Sequence, residues 1–266
     1  MPGVHKGVPV RGVRVGVLNR LSTIDDLLFP EIAGRDMPSR RAYLTFTYRE
    51  AVLRISCSRF DVVAAEIVRQ RHLLEDYLRR HPEFQRSLVP MEARADAPEI
   101  ARHMGWAAGL VGVGPMAAVA GAMAQWSAHA ALEAGAAEVI VDNGGDIFLQ
   151  AVEPVIVSLG AGASRLADRL ALRVEPQETP LSICSSSGKM GHSMSLGQCD
   201  LATVVAKDAA LADAAATQAA NLVRTPDDVD AALERIMVIP NIAGVLIVQD
   251  DRVGLAGRLP ELVKAG

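Results

Sequence analysis

The chain has 266 residues, half of them hydrophobic, three cysteines and a formal net charge of -4 with acidic and basic residues intermixed. This length supports one sizeable core or two small ones, and the lack of a basic stripe argues against a nucleic-acid partner. Cys57, Cys184 and Cys199 are odd in number and widely spaced, which argues against a disulfide framework or a CxxC zinc site and for a reducing, cytoplasmic setting.

Residues 1–40 carry basic charge but no apolar run long enough for a signal-peptide core, and Gly and Pro interrupt any helical period. They read as an N-terminal extension lying on or off the domain, disordered or beginning at a misassigned start. A single domain is expected over residues 41–266.

Residues 42–57 alternate polar and apolar positions around Arg49-Glu50, as a hairpin does, with Leu53, Ile55 and Cys57 on one face. The period then becomes helical over residues 61–80, where Val63, Ile67, Leu74, Tyr77 and Leu78 form an apolar stripe that stops at His81-Pro82. A second helix is expected over 98–110. Pro115 suits the first turn of a third, which Gly135 ends. Residues 104–132 contain no Asp, Glu, Lys or Arg, and Trp106 and Trp126 resemble interfacial anchors. The stretch is nevertheless mostly Ala and Gly, broken at Gly112-Val113-Gly114-Pro115, so buried helices are expected and a membrane span is not.

Strands are expected over 138–142 and 146–152, joined at Asn143-Gly144-Gly145, because Asn-Gly between apolar runs signals a hairpin. Further strands are read at 155–159, 170–174, 181–185 and 201–206, and helices at 208–223 and 226–237. The chain closes with a hairpin, GVLIVQ and RVGLAG, around Asp250-Asp251. Strands in hairpins with helices in pairs give an α+β fold, mainly antiparallel, with packed helices.

Two stretches carry the chemistry. Asp213 and Thr217 are four residues apart and share a helix face that Asn221 continues. A carboxylate and a hydroxyl there suit Mg²⁺, which takes oxygen ligands and keeps positions open for phosphate and water. The bland alternative is a solvated Asp with a Thr bonded back to its own helix. Upstream, Ser185-Ser186-Ser187-Gly188 followed by Lys189, Gly191 and His192 offers amides, hydroxyls and one cation to an anion. It lacks the Walker A spacing, and an ordinary serine-capped turn is the alternative. Ser186 and Lys189 also match the S-x-x-K pattern of serine acyl transfer, a short pattern that arises by chance. His192 is a candidate for proton transfer or ligand orientation. Asn143, Gly144, Gly145 and Asp146 expose backbone amides for close approach of a planar or phosphate-bearing ligand, and Gly114 precedes a helix N-terminus that offers a second anion site.

The segments VGVGPMAAVAGAMAQ, VDNGGDIFL, SSSGKMGHSMSLGQCD and ADAAATQAAN, in this order, resemble the uncharacterised protein family grouped with ApbE, over a match from about Tyr43 to the C-terminus. The resemblance implies the ApbE-like fold, related to the T-fold. ApbE proteins are FAD-dependent, Mg²⁺-requiring transferases that attach FMN to protein Thr or Ser, and some hydrolyse FAD. By residue, the resemblance implies Asp213 and Thr217 as metal ligands, Gly144, Gly145 and Asp146 as the GGD element, and Ser187 and Gly188 as the loop flanking the flavin, with His192 near a following His. It also exposes a departure. The lysine and aspartate of an ApbE Lys-Gly-Tyr-Ala-Val-Asp segment fall on Ala120 and Gln125, around Gly121. Each missing charged contact is worth about 1.5–3 kcal/mol.

The expected function is therefore binding of FAD, FMN or a similar phosphorylated ligand with Mg²⁺. Asp213 and His192 are the candidate catalytic residues, and Gly114, Asn143 to Asp146, Ser186 to Lys189 and Gly191 the candidate ligand-binding residues. The reaction would be phosphoryl or FMN transfer, or FAD hydrolysis. The competing reading is a noncatalytic accessory protein, in sulfur assimilation or homocysteine formation. A protein acceptor and a homo-oligomer are compatible with the sequence.

Overall fold

A computed structural model describes residues 16–19, 41–160, 167–188 and 198–265. Its centre is a nine-stranded antiparallel sheet in the order β1-β11-β10-β9-β8-β5-β4-β3-β2. The strands are β1 (Gly16–Asn19), β2 (Leu44–Tyr48), β3 (Ala51–Cys57), β4 (Val139–Asn143), β5 (Asp146–Gln150), β8 (Leu181–Ser186), β9 (Leu201–Ala206), β10 (Ile242–Gln249) and β11 (Arg252–Gly257). A smaller sheet orders β12 (Glu261–Lys264), β7 (Leu170–Val174) and β6 (Val155–Ser158). The helices are α1 (Phe60–Arg80), α2 (Pro82–Arg86), α3 (Glu99–Val111), α4 (Val119–Glu133), α5 (Ala209–Leu222) and α6 (Val229–Met237).

Side-chain alternation along the strands explains why the large sheet is covered on both faces. Val141, Phe148, Val204, Val245 and Ile247 point into a core shared with the helices, whereas Ile140, Ile147, Leu149, Val205, Leu246 and Val248 point into a second core against Val155, Val157, Leu170, Leu172 and Val174. Successive residues of one strand thus serve opposite cores. The expected stripe of α1 is buried as read, from Val63 to Leu78. α5 is buried along most of its length, and its alanines let it lie against β8 and β9 while α3 and α4 pack on its other sides.

The α+β, mainly antiparallel reading holds, with informative differences at the edges. Within the segment read as an extension, Gly16–Asn19 pairs with β11 and so lies on the domain. The third helix opens as a 3₁₀ turn at Pro115–Ala118 before α4 proper. β8 runs through Ser186, a residue whose surroundings predict loop, because Ser186 still pairs with Ala202. Short β12 escaped the sequence reading, since its partly exposed ELVK has no clear period and is held by pairing with β7. Among the described residues no single helix is long and apolar enough to cross a membrane, and α3 and α4, which share the uncharged stretch, are bent by 104° at their break.

Candidate functional site

The β4–β5 hairpin turns at Gly144 and Gly145, with φ of 71° and 103°. Two consecutive positive φ values suit the tight hairpin turn that matches sheet twist. Asp142 Oδ1 accepts the Gly145 amide at 2.9 Å, and Asn143 Nδ2 donates to the Ala120 carbonyl at 3.1 Å, tying the hairpin to the start of α4. Asp146, the first residue of β5, then faces Cys184 directly across the β5–β8 ladder. It shares the strand face of Phe148, two residues on, and so points to the helical side of the sheet.

On that side α5 presents Asp213, with Thr217 one turn further. Asp213 Oδ2 accepts the Gly121 amide at 2.9 Å, one of the amides that a helix N-terminus leaves without intrahelical partners. The approach is possible because residue 121 has no side chain: a Cβ there would stand 2.1 Å from the Ala209 carbonyl oxygen.

Both acids are buried, Asp146 at 9% and Asp213 at 8% exposure. Desolvation pushes the Asp213 carboxyl up to about 7, against the stabilising amides of Gly121 and Ala120. Desolvation raises Asp146 well above the ordinary carboxylate range, and the charge of Asp213 raises it further, opposed by Cys184 and the Ser185 amide. Asp146 Oδ1 is buried with no hydrogen-bond partner among the described residues. Such an oxygen costs free energy unless something supplies a positive or donating group.

A cleft of about 1060 Å³ opens beside these acids. Gly114, Asn143, Gly144, Gly145, Asp146, Ser186, Ser187 and Thr217 all line it, so residues 103 positions apart in sequence meet in one cleft. Asp213 lies behind this lining. Gly188 turns away, its amide donating to the Cys199 carbonyl at 2.8 Å. Lys189, Gly191 and His192 lie outside the described residues. Sequence reasoning gave no signal for Cys184 as the neighbour of Asp146, because the β5–β8 register that pairs them is set by long-range hydrogen bonding, nor for Arg71 as part of the cleft wall. The described residues contain no group of three or more His, Cys, Asp or Glu side chains placed to hold a metal. A cation here would draw on two carboxylates, the Thr217 hydroxyl and groups of a ligand.

The two positions that depart from the transferase pattern have structural partners of their own. Gln125 Oε1 accepts the Ala209 amide, the first of α5, at 2.6 Å. Ala120 lines the cleft and gives its carbonyl to Asn143. Nearby, His103 Nε2 contacts Asp208 Oδ2 at 2.7 Å while its Nδ1 accepts from Trp126 Nε1 at 3.2 Å. Asp208 also caps α5 by accepting the Leu211 amide, so this trio fixes the helix that carries Asp213.

The family model described as AbpE bacteria matches residues 35–242. A UPF0280 protein of Methanocella arvoryzae is 42% identical over 199 residues, covering 75% of this chain and 81% of the relative. A UPF0280 protein of Methanocaldococcus jannaschii is 41% identical over 207 residues, covering 76% and 84%. Among solved structures, the apo flavinyl transferase ApbE of Pseudomonas stutzeri superposes with a TM-score of 0.53 at 10% identity, covering 82% of this chain and 95% of that one. The ApbE protein of Thermotoga maritima gives 0.50 at 13% identity, covering 79% and 94%. These structural likenesses show the fold, and they agree with the ApbE-like architecture expected from the motifs.

Proposed function

The chain belongs to the UPF0280 family of ApbE-like proteins, and on that premise we propose that its cleft binds a flavin nucleotide, FAD or FMN, or a similar phosphorylated ligand together with Mg²⁺. The observation that carries this reading is the pair of buried acids, Asp146 and Asp213, with an unpartnered carboxylate oxygen beside a large cleft. Two buried carboxylates, one of which raises the proton affinity of the other, fit a divalent cation, and with the Thr217 hydroxyl they offer an oxygen donor set of the hard type that Mg²⁺ prefers.

Asp146, Asp213 and Thr217 would hold the cation, which when bound neutralises and polarises a phosphoryl oxygen. Asn143, Gly144 and Gly145 offer a wall without bulky side chains, and Gly114, Ser186 and Ser187 line the same cleft. Lys189, Gly191 and His192 complete the phosphate-binding side of the proposal, with His192 orienting the ligand or moving a proton, while the Gly188 amide is engaged by the Cys199 carbonyl. With FAD as substrate, an oxygen of water or of a protein Thr or Ser bonds to the FMN phosphorus. The phosphorus–oxygen bond to AMP breaks, AMP leaves with the electron pair, and the hydroxyl proton passes to solvent. FMN is released or remains esterified to the acceptor. A cytoplasmic location belongs to the same proposal.

Calorimetric titration of wild type and Asp213→Ala with FAD, FMN and ADP, each with and without Mg²⁺, tests it. Mg²⁺-dependent binding that Asp213→Ala abolishes is expected; absence of binding of all three to folded wild type overturns it. The second reading, a noncatalytic accessory protein, is favoured by one observation: residue 125, aspartate in the transferase pattern, is a glutamine engaged in holding α5. Metal-dependent FAD binding with no release of AMP would select it.

A further inference from the structure

We infer that Arg71 is the cleft's phosphate-recognising cation, and that Glu50 occupies its guanidinium until a ligand phosphate displaces it. This rests on the phosphorylated-ligand reading above. Among the described residues, the charged side chains lining the cleft are Glu50, Arg71, Asp146 and Arg224. Of the two cations, Arg224 is exposed, whereas the Arg71 side chain is only 25% exposed and fixed in place.

Arg71 is fixed by carboxylates on two sides. Its Nε donates to Glu75 Oε1 at 2.7 Å, and Glu75 is braced in turn by Arg49 at 2.6 Å. One Nη2 hydrogen bond goes to Glu50. Glu75 comes from the same helix and is 19% exposed, but Glu50 sits at the tip of the β2–β3 hairpin with 65% of its side chain in solvent. The two carboxylates therefore differ in kind: one is a half-buried brace, the other a surface ion pair of the weak sort.

The topology puts this guanidinium at the working end of the sheet. Arg54 of β3 pairs with Asp142 of β4, so the β2–β3 tip projects at the same end as the Gly144-Gly145 turn and Asp146, across one intervening strand. A guanidinium held by its Nε edge keeps its other donors in a rigid fork that matches phosphate geometry, with little further ordering cost. Glu50 presents to that fork what a ligand phosphate would present, a pair of anionic oxygens, and its exposed hairpin can release it.

The test is titration calorimetry with FAD and ADP in Mg²⁺ on wild type, Arg71→Met, Arg71→Lys and Glu50→Gln, with circular dichroism to confirm folding. Arg71→Met should bind about 10- to 100-fold more weakly, the loss of a hydrogen bond to a charged group. Arg71→Lys should recover part of this. Glu50→Gln, a change at an exposed side chain, should bind about two- to fivefold more tightly, because the competing ion pair is gone. Unchanged affinity in Arg71→Met, or unchanged or weaker affinity in Glu50→Gln, overturns the assignment while Mg²⁺-dependent binding to wild type leaves the broader reading standing. No binding of either nucleotide to wild type overturns both.

Discussion

Asp213 on α5 accepts a hydrogen bond from the backbone amide of Gly121 on α4 at 2.9 Å, and it does so across a helix contact with no room for a Cβ at residue 121. One glycine thus sets both the packing of two helices and the position of the acid that stands behind the cleft wall. The position of this buried carboxylate is here a packing fact.

Gly121→Ala should consequently destabilise the protein despite the better helix propensity of alanine. The propensity gain is at most about 1 kcal/mol, whereas a Cβ 2.1 Å from the Ala209 carbonyl oxygen forces the helices apart, an overpacking cost of about 1–3 kcal/mol. Urea unfolding should show a lower midpoint, and the cation affinity should fall with it. A midpoint equal to or above wild type would contradict the close-contact account.

The buried acids predict an inverted pH response in metal-free protein. A carboxyl whose folded pKa is raised binds its proton more tightly when folded, so its stabilising contribution is complete below the unfolded value near 4 and is lost as pH rises through the folded value. For Asp213 that value is about 7, and Asp146 shifts in the same direction. In EDTA the unfolding free energy should therefore fall between pH 5 and pH 8 through this pair, by an amount on the order of a few kcal/mol, and the melting temperature with it. Asp213→Asn should flatten the fall, and Mg²⁺ should restore stability most at the alkaline end. Equal pH slopes for wild type and Asp213→Asn would refute it.

Gly145→Val should lose stability because residue 145 holds φ at 103°, a region a β-branched residue enters only with strain of about 1–2 kcal/mol. Since Asp146 follows directly, the same substitution should reduce cation binding by more than Val152→Thr does. That control alters an exposed residue beyond β5. Thermal melts and Mg²⁺ titrations on the three proteins give the comparison.

Asp208→Ala removes the N-cap of α5 and the partner of His103 together. Loss of the cap costs about 1 kcal/mol, and the unpaired imidazole adds to it. The Trp126 fluorescence should shift, because Trp126 donates to the same imidazole. A spectrum and stability identical to wild type would show that the trio does not brace the helix.

Much of this was readable from the residues. Asn143-Gly144-Gly145 specified a hairpin turn because glycines sit comfortably at consecutive positive φ, and the alternation in VDNGGDIFL gave both strands; the pairing of Asn143 with Asp146 then shortens the connection to two residues. The spacing of Asp213 and Thr217 placed them on one helix face before any coordinates, and the stripe from Val63 to Leu78 identified the buried side of α1. What escaped was set by long-range pairing. Ser186 reads as loop but is held in β8 by Ala202, and the strand at Gly16–Asn19 exists through its partner β11.

The sequence by itself determined the element types, the antiparallel α+β class and the residues that could bear oxygen ligands, because periodicity, turn chemistry and side-chain identity are local properties. Only the tertiary structure decided that Asp146 and Asp213, 67 positions apart, are buried on the same side of the sheet and that the charge of Asp213 raises the proton affinity of Asp146. It alone put Arg71 on the wall of the same cleft. Desolvation and charge coupling depend on which surfaces a fold brings together, and no spacing along the chain encodes them. The stretch from Ser185 to Thr217 that first suggested an anion beside a cation gained its second carboxylate from a strand outside it.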